Sequence, residues 1–76
     1  MDDGVRYRPM SMRVRGRAAC GDVVCHEGGP SQARVFVVEE GANRAGLYQL
    51  RNLDTHTAEY NDLLAPQWRF ASLLGD

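Results

Sequence analysis

Residues 20–60, CGDVVCHEGGPSQARVFVVEEGANRAGLYQLRNLDTHTAEY, decide the fold. Ala33 to Glu40 is the strongest strand in the stretch. Val35, Phe36, Val37 and Val38 are β-branched or aromatic, and four in a row predict a strand covered on both faces or strongly coiled. Ahead of it, Gly21 and Asp22 supply a turn into a short GDVV strand. The stretch from Cys25 to Gln32 then reads as a loop punctuated by Gly28, Gly29 and Pro30. Behind it, Gly41 to Gly46 forms a connection whose Asn43 tolerates a left-handed backbone. Leu47 to Leu53 alternates, with Tyr48 and Leu50 inward and Gln49 and Arg51 outward. Asp54 and Thr55 turn the chain into a last short strand, His56 to Tyr60. The region therefore reads as a three-stranded meander following GDVV.

Working outward, residues 1–9 read as a loose lead-in ending at Pro9. From Met10 a period of two sets in, placing Met10, Met12 and Val14 on one side and Ser11, Arg13, Arg15 and Arg17 on the other, a half-buried strand that Gly16 bends or ends. Toward the C-terminus, Asn61 to Ala65 reads as one helical turn stopped by Pro66. Gln67 to Leu74 fits a final strand with Trp68 and Phe70 inward, or a short helix. The strand is favoured because closing a barrel removes the edges that an open meander exposes.

The chain has 76 residues, which makes one domain. Its apolar residues suffice for one compact core: Val23, Val35, Phe36, Val37, Val38, Leu47, Tyr48, Leu50, Tyr60, Leu63, Leu64, Trp68, Phe70 and Leu73. Self-association that buries further apolar surface is a direct route to extra stability. The formal net charge of −1 gives no global attraction to nucleic acid or membrane. The signs are nevertheless segregated. Arg6, Arg8, Arg13, Arg15 and Arg17 precede residue 18, and acids dominate after it. All nine basic residues are arginine, the signature of a GC-rich genome or of bidentate anion recognition. No targeting or membrane-spanning stretch is visible, which predicts a cytoplasmic protein with Cys20 and Cys25 reduced.

The order of GDVV, loop, long apolar strand, loop, Tyr-x-Leu, turn, short strand, one helical turn and last strand resembles SH3-like small barrels of the KOW or Tudor kind, over residues 20–74. Gly21-Asp22-Val23-Val24 followed by Gly28-Gly29-Pro30 also resembles the opening of a family of small bacterial proteins without an assigned activity. The residues ahead of Gly21 have no counterpart in that family, and the likeness stops after Pro30. The SH3-like resemblance implies binding to peptides, proteins or nucleic acid, and fold alone does not choose among them. The expected architecture is therefore all-β: a small SH3-like barrel of about five antiparallel strands with an N-terminal arm or extra strand.

No constellation predicts catalysis, a metal or a cofactor. Cys20, Cys25, His26 and His56 lack the paired close spacings that a zinc site uses. Glu39 and Glu40 alternate across a strand, and the glycines at 28 and 29 precede no Lys-Ser/Thr and no helix. The best binding candidates are Arg13, Arg15 and Arg17, which on one strand face would stand about 7 Å apart, a spacing suited to phosphates or an acidic edge. Tyr7 and Arg51 complete the candidate surface. The same arginine row would serve equally as a solvated, aggregation-resistant edge. These features predict a small non-enzymatic accessory protein, of the kind phages and plasmids carry, that binds a larger protein partner stoichiometrically. The alternative is a nucleic-acid-binding module that uses the arginine row.

Overall fold

The computed structural model describes residues 5–28 and 34–75. Among these residues the chain is all-β: β1 (Tyr7–Arg13), β2 (Val23–His26), β3 (Val35–Glu40), β4 (Tyr48–Asn52), β5 (Ala58–Asn61) and β6 (Trp68–Leu73). They form one antiparallel sheet in the order β1-β6-β2-β3-β4-β5. The run from β2 to β5 is the expected meander. β6 then returns to lie against β2, and β1 is the extra N-terminal strand on its far side. Gly29, Pro30 and Ala33, which the sequence reading placed in a loop and at a strand start, lie outside the described residues. No helix of the described residues is long and apolar enough to cross a membrane.

Alternation sorts the side chains. On β4, Tyr48, Leu50 and Asn52 are buried while Gln49 and Arg51 are half-exposed, as their period of two requires. On β3, Val35, Phe36 and Val38 are all buried, because the strand is covered on both faces at its start. Val14, Val24, Phe36, Val38, Tyr48, Leu50, Leu63 and Trp68 form the main core, with Ala18 and Phe70 packed against it. Trp68 meets His26 edge-on at 4.8 Å between ring centroids and Phe36 at 5.4 Å. Burial of an apolar side chain such as Phe36 contributes roughly 1.5–3 kcal/mol.

Several expectations about the core are corrected. Tyr60, Leu64 and Leu73 are exposed, because β5 is an edge strand and the other two residues fall at loop or strand-end positions. Val24, Cys25 and Ala71 are buried instead, since GDVV continues through Cys25 and His26 as the central strand β2. No helical turn forms at Asn61–Ala65. The Asn61 and Asp62 side chains accept the Leu63 and Leu64 N–H groups at 2.9 and 3.0 Å, and Leu63 adopts φ 58°, so the chain makes consecutive side-chain-capped turns. Asn43 likewise acts through its side chain, accepting from the Ala45 and Leu47 N–H groups, and the left-handed backbone falls on Gly46. The C-terminal segment is a strand, paired to β2 on one side and β1 on the other.

The N-terminal segment departs furthest from expectation. β1 begins at Tyr7, so residues 7–9 belong to the sheet rather than to a lead-in. Pro9 is tolerated because β1 is an edge. The Leu74 N–H donates to the Arg6 carbonyl at 2.9 Å, which fixes the ladder's alternation so that Tyr7 and Pro9 turn their backbone polar groups outward. The missing N–H thus sits on the free edge and blunts it against strand addition. Met10 and Met12 are 45% and 62% exposed, not inward. A bulge is the cause: between the Pro9–Ala71 and Arg13–Arg69 pairs, Met10, Ser11 and Met12 stand opposite Phe70 alone.

β1 and β5 share no ladder. The two ends of the sheet are joined instead through the segments that follow those strands, where the Gly16 N–H donates to the Leu63 carbonyl at 2.9 Å.

Candidate functional site

The expected row of three arginines on one strand does not form. β1 ends at Arg13, and Val14 to Arg17 is a tight turn closed by the Arg17 N–H on the Val14 carbonyl at 2.9 Å. Its central residues, Arg15 and Gly16, have φ of 54° and 66°, the left-handed pair of a primed turn. Glycine accepts that conformation at no steric cost, whereas arginine does not.

The turn is held from several sides. Val14 is fully buried, and its N–H donates to the Trp68 carbonyl at 3.1 Å. The Gly16 N–H is taken by Leu63, while the Gly16 carbonyl accepts the Tyr48 phenol at 2.6 Å. The same phenol oxygen accepts the Ala18 N–H at 3.3 Å. An extended strand, a turn and a core tyrosine therefore share one network, and the flanking arginines project from a fixed base.

Although the strand spacing is lost, the three arginines still converge. Arg13, Arg15 and Arg17 line one open groove of about 480 Å³, together with Met12, Val14 and Phe70. Arg15 and Arg17 are exposed and, among the described residues, pair with no carboxylate. Arg13 is half-buried, and its guanidinium donates to the Pro66 carbonyl. It lies directly across the ladder from Arg69. The like charges are managed separately, because Arg69 has its own carboxylate in Glu27, at 2.8 Å, and also donates to the Met10 carbonyl at 3.3 Å.

The remaining candidates are not in this groove. Tyr7 is half-buried and borders a different hollow with Arg6, Arg34 and Leu74. Arg51 is committed elsewhere: its Nε and one terminal nitrogen each lie 3.1 Å from the Glu39 carboxylate, and its other terminal nitrogen donates to the His56 carbonyl at 2.8 Å. The hydrogen bond from Arg51 holds the Glu39 carboxyl below its ordinary range, and Gln49 adds a further bond. A bulge at Glu39, opposite Gln49, directs its carboxylate to these two partners, which the simple alternation of Glu39 and Glu40 does not reveal.

Cys25 is buried, and burial raises its thiol pKa above the ordinary value. Cys20 is exposed, with its sulfur 3.2 Å from the Glu39 carbonyl. Among the described residues, no three His, Cys, Asp or Glu side chains converge to hold a metal ion.

The exposed methionines are what the sequence reading missed. Met10, Met12, Val23, Phe70 and Ala71, with Asp22, line a shallow hollow of about 250 Å³. The Met-x-Met alternation marks the strand, but only the bulge opposite Phe70 decides which way its side chains turn. No family model, curated protein or solved structure matches the chain.

Proposed function

We propose that this chain is a non-enzymatic accessory protein, built on an SH3-like barrel, that binds an acidic segment of a larger protein partner at the groove beside the β1 turn. The observation carrying this reading is the pair of exposed arginines, Arg15 and Arg17, which have no carboxylate partner among the described residues and border an open groove. Arginines fixed on a tight turn lose less freedom on binding than arginines on a mobile tail, which favours recognition over simple solvation. Guanidinium groups match carboxylates through paired N–H donors, so an acidic partner suits them.

A nucleic acid would use the same charges. The site's aromatic content weighs against it, since single-strand binders stack bases on exposed rings. Phe70 is half-buried, Tyr7 borders another hollow, and the exposed Tyr60 belongs to the opposite edge strand.

The deciding experiment compares the chain with its Arg13→Glu/Arg15→Glu/Arg17→Glu variant in affinity capture from the native host, after circular dichroism has established that both are folded. Loss of one specific protein partner supports the reading. An unchanged set of captured proteins sinks the assignment of this surface. Capture dominated by nucleic acid, with affinity falling steeply as salt rises, replaces it with the alternative.

A further inference from the structure

The arginine groove adjoins an apolar hollow, with Met12 and Phe70 lining both. The β1 bulge creates this arrangement. With Met10, Ser11 and Met12 facing one β6 residue, the strands cannot keep a regular ladder, and Phe70 is left partly open between them. The hollow, at about 250 Å³, is smaller than the roughly 300–1,000 Å³ of small-molecule sites, so it suits a single side chain rather than a cofactor. Among the described residues its walls are Met10, Met12, Val23, Phe70 and Ala71, with Asp22 beside them. Two exposed methionines are flexible and polarizable, and they adapt to an inserted apolar group better than branched side chains do. Charge complementarity sets the rest of the occupant, because Arg15 and Arg17, which pair with no carboxylate among the described residues, stand on the adjoining groove.

We infer that the partner segment is an acidic peptide carrying one large aliphatic side chain, whose carboxylates meet Arg15 and Arg17 while the aliphatic group enters the hollow between Met10, Met12 and Phe70. This rests on the proposed function above and specifies its ligand. The apolar anchor supplies specificity that arginine–carboxylate attraction alone lacks, since exposed ion pairs discriminate weakly.

The test uses the full chain and two fluorescein-labelled peptides of glutamate, aspartate and glycine, one with a central leucine and one with alanine in its place. Fluorescence polarization is read for the native chain, for Met10→Ser and for Arg15→Glu/Arg17→Glu. Met10 is exposed and lines the hollow but not the arginine groove, so Met10→Ser keeps both the fold and the charged surface, and circular dichroism verifies the fold. The leucine peptide is expected to bind about tenfold tighter than the alanine peptide, reflecting partial burial of one aliphatic side chain. Met10→Ser erases that ratio and leaves the alanine peptide's affinity unchanged, while the arginine variant weakens both peptides. Equal binding of the two peptides to the native chain overturns the anchor and leaves the acidic-partner reading standing. Absence of binding by both, or tighter binding of a labelled single-stranded oligonucleotide, overturns that reading as well.

Discussion

The Tyr48 phenol donates a 2.6 Å hydrogen bond to the Gly16 carbonyl, joining the start of β4 to the turn that carries the arginines. Tyr48 is buried, so removing its hydroxyl leaves the Gly16 carbonyl and the Ala18 N–H without this partner in a place water reaches poorly. Tyr48→Phe is expected to cost about 1–2 kcal/mol in urea denaturation. It should also loosen the turn, so peptide affinity at the arginine groove falls although no contacting residue has changed. An unchanged denaturation midpoint would show that the network does not brace the turn.

The turn itself invites a paired test. Arg15 adopts φ 54°, which an L side chain resists, so Arg15→Gly is expected to raise stability by roughly 0.5–1 kcal/mol. The same change removes a charge that pairs with no carboxylate among the described residues, and should weaken the proposed peptide binding, separating the fold's interest from the site's. Gly16→Ala runs the other way. Its new Cβ would lie 2.8 Å from Leu64 Cδ2 on a backbone at φ 66°. Because Leu64 is exposed and its side chain can swing clear, the conformational strain dominates, at roughly 1–2 kcal/mol. Adding Leu64→Ala should recover little of that loss. Full recovery in the double variant would assign the cost to the clash instead.

The meander was legible because its signals are local. Glycine and Asx turns bracket apolar runs at strand spacing, and Tyr48-Gln49-Leu50-Arg51 alternates as it is buried. β1 was legible as a strand but not in its facing, since a bulge reverses the meaning of Met10 and Met12 without leaving a mark in their alternation. The arginines were singled out by type, and their convergence survives for a different reason: a left-handed turn gathers Arg15 and Arg17 where a strand would have spread them. The Glu39–Arg51 pair was hidden because it depends on the β3–β4 register, which a one-residue bulge shifts. Residues far apart in sequence, such as Gly16 and Leu63, meet only once the sheet coils, and no local pattern reports that contact.

Thiol chemistry should divide the two cysteines. Cys20 is exposed and Cys25 buried, and burial together with the nearby Glu27 charge disfavours the Cys25 thiolate. Native protein is expected to release one equivalent in a Cys-reactive dye assay, and a second only in denaturant. The sign of the linkage follows: the unfolded thiol ionises first as pH rises past its ordinary value of 9.0, so this group's contribution to stability declines above that pH. Cys25→Ser should remove that alkaline loss at the cost of burying a hydroxyl. Rapid reaction of both thiols in the native protein would contradict the burial of Cys25.

Acid titration should expose the Glu39–Arg51 pair. The folded Glu39 carboxyl is held below its ordinary value of 4.5, first by the hydrogen bond from Arg51 and then by Gln49. An acid with a depressed folded pKa contributes stability that is fully present above the unfolded value and is lost as pH falls through the folded one. The native chain and Glu39→Gln should therefore differ modestly at neutral pH and converge well below pH 4.5, where the native carboxylate is itself protonated. Both groups are substantially exposed, so added salt should narrow the neutral-pH gap as well. Thermal unfolding followed by the fluorescence of Trp68, the chain's single tryptophan and a buried member of the core, reads each case. A gap that persists unchanged into acid would mean that Glu39 supports the β3–β4 bulge through packing, with its charge contributing nothing.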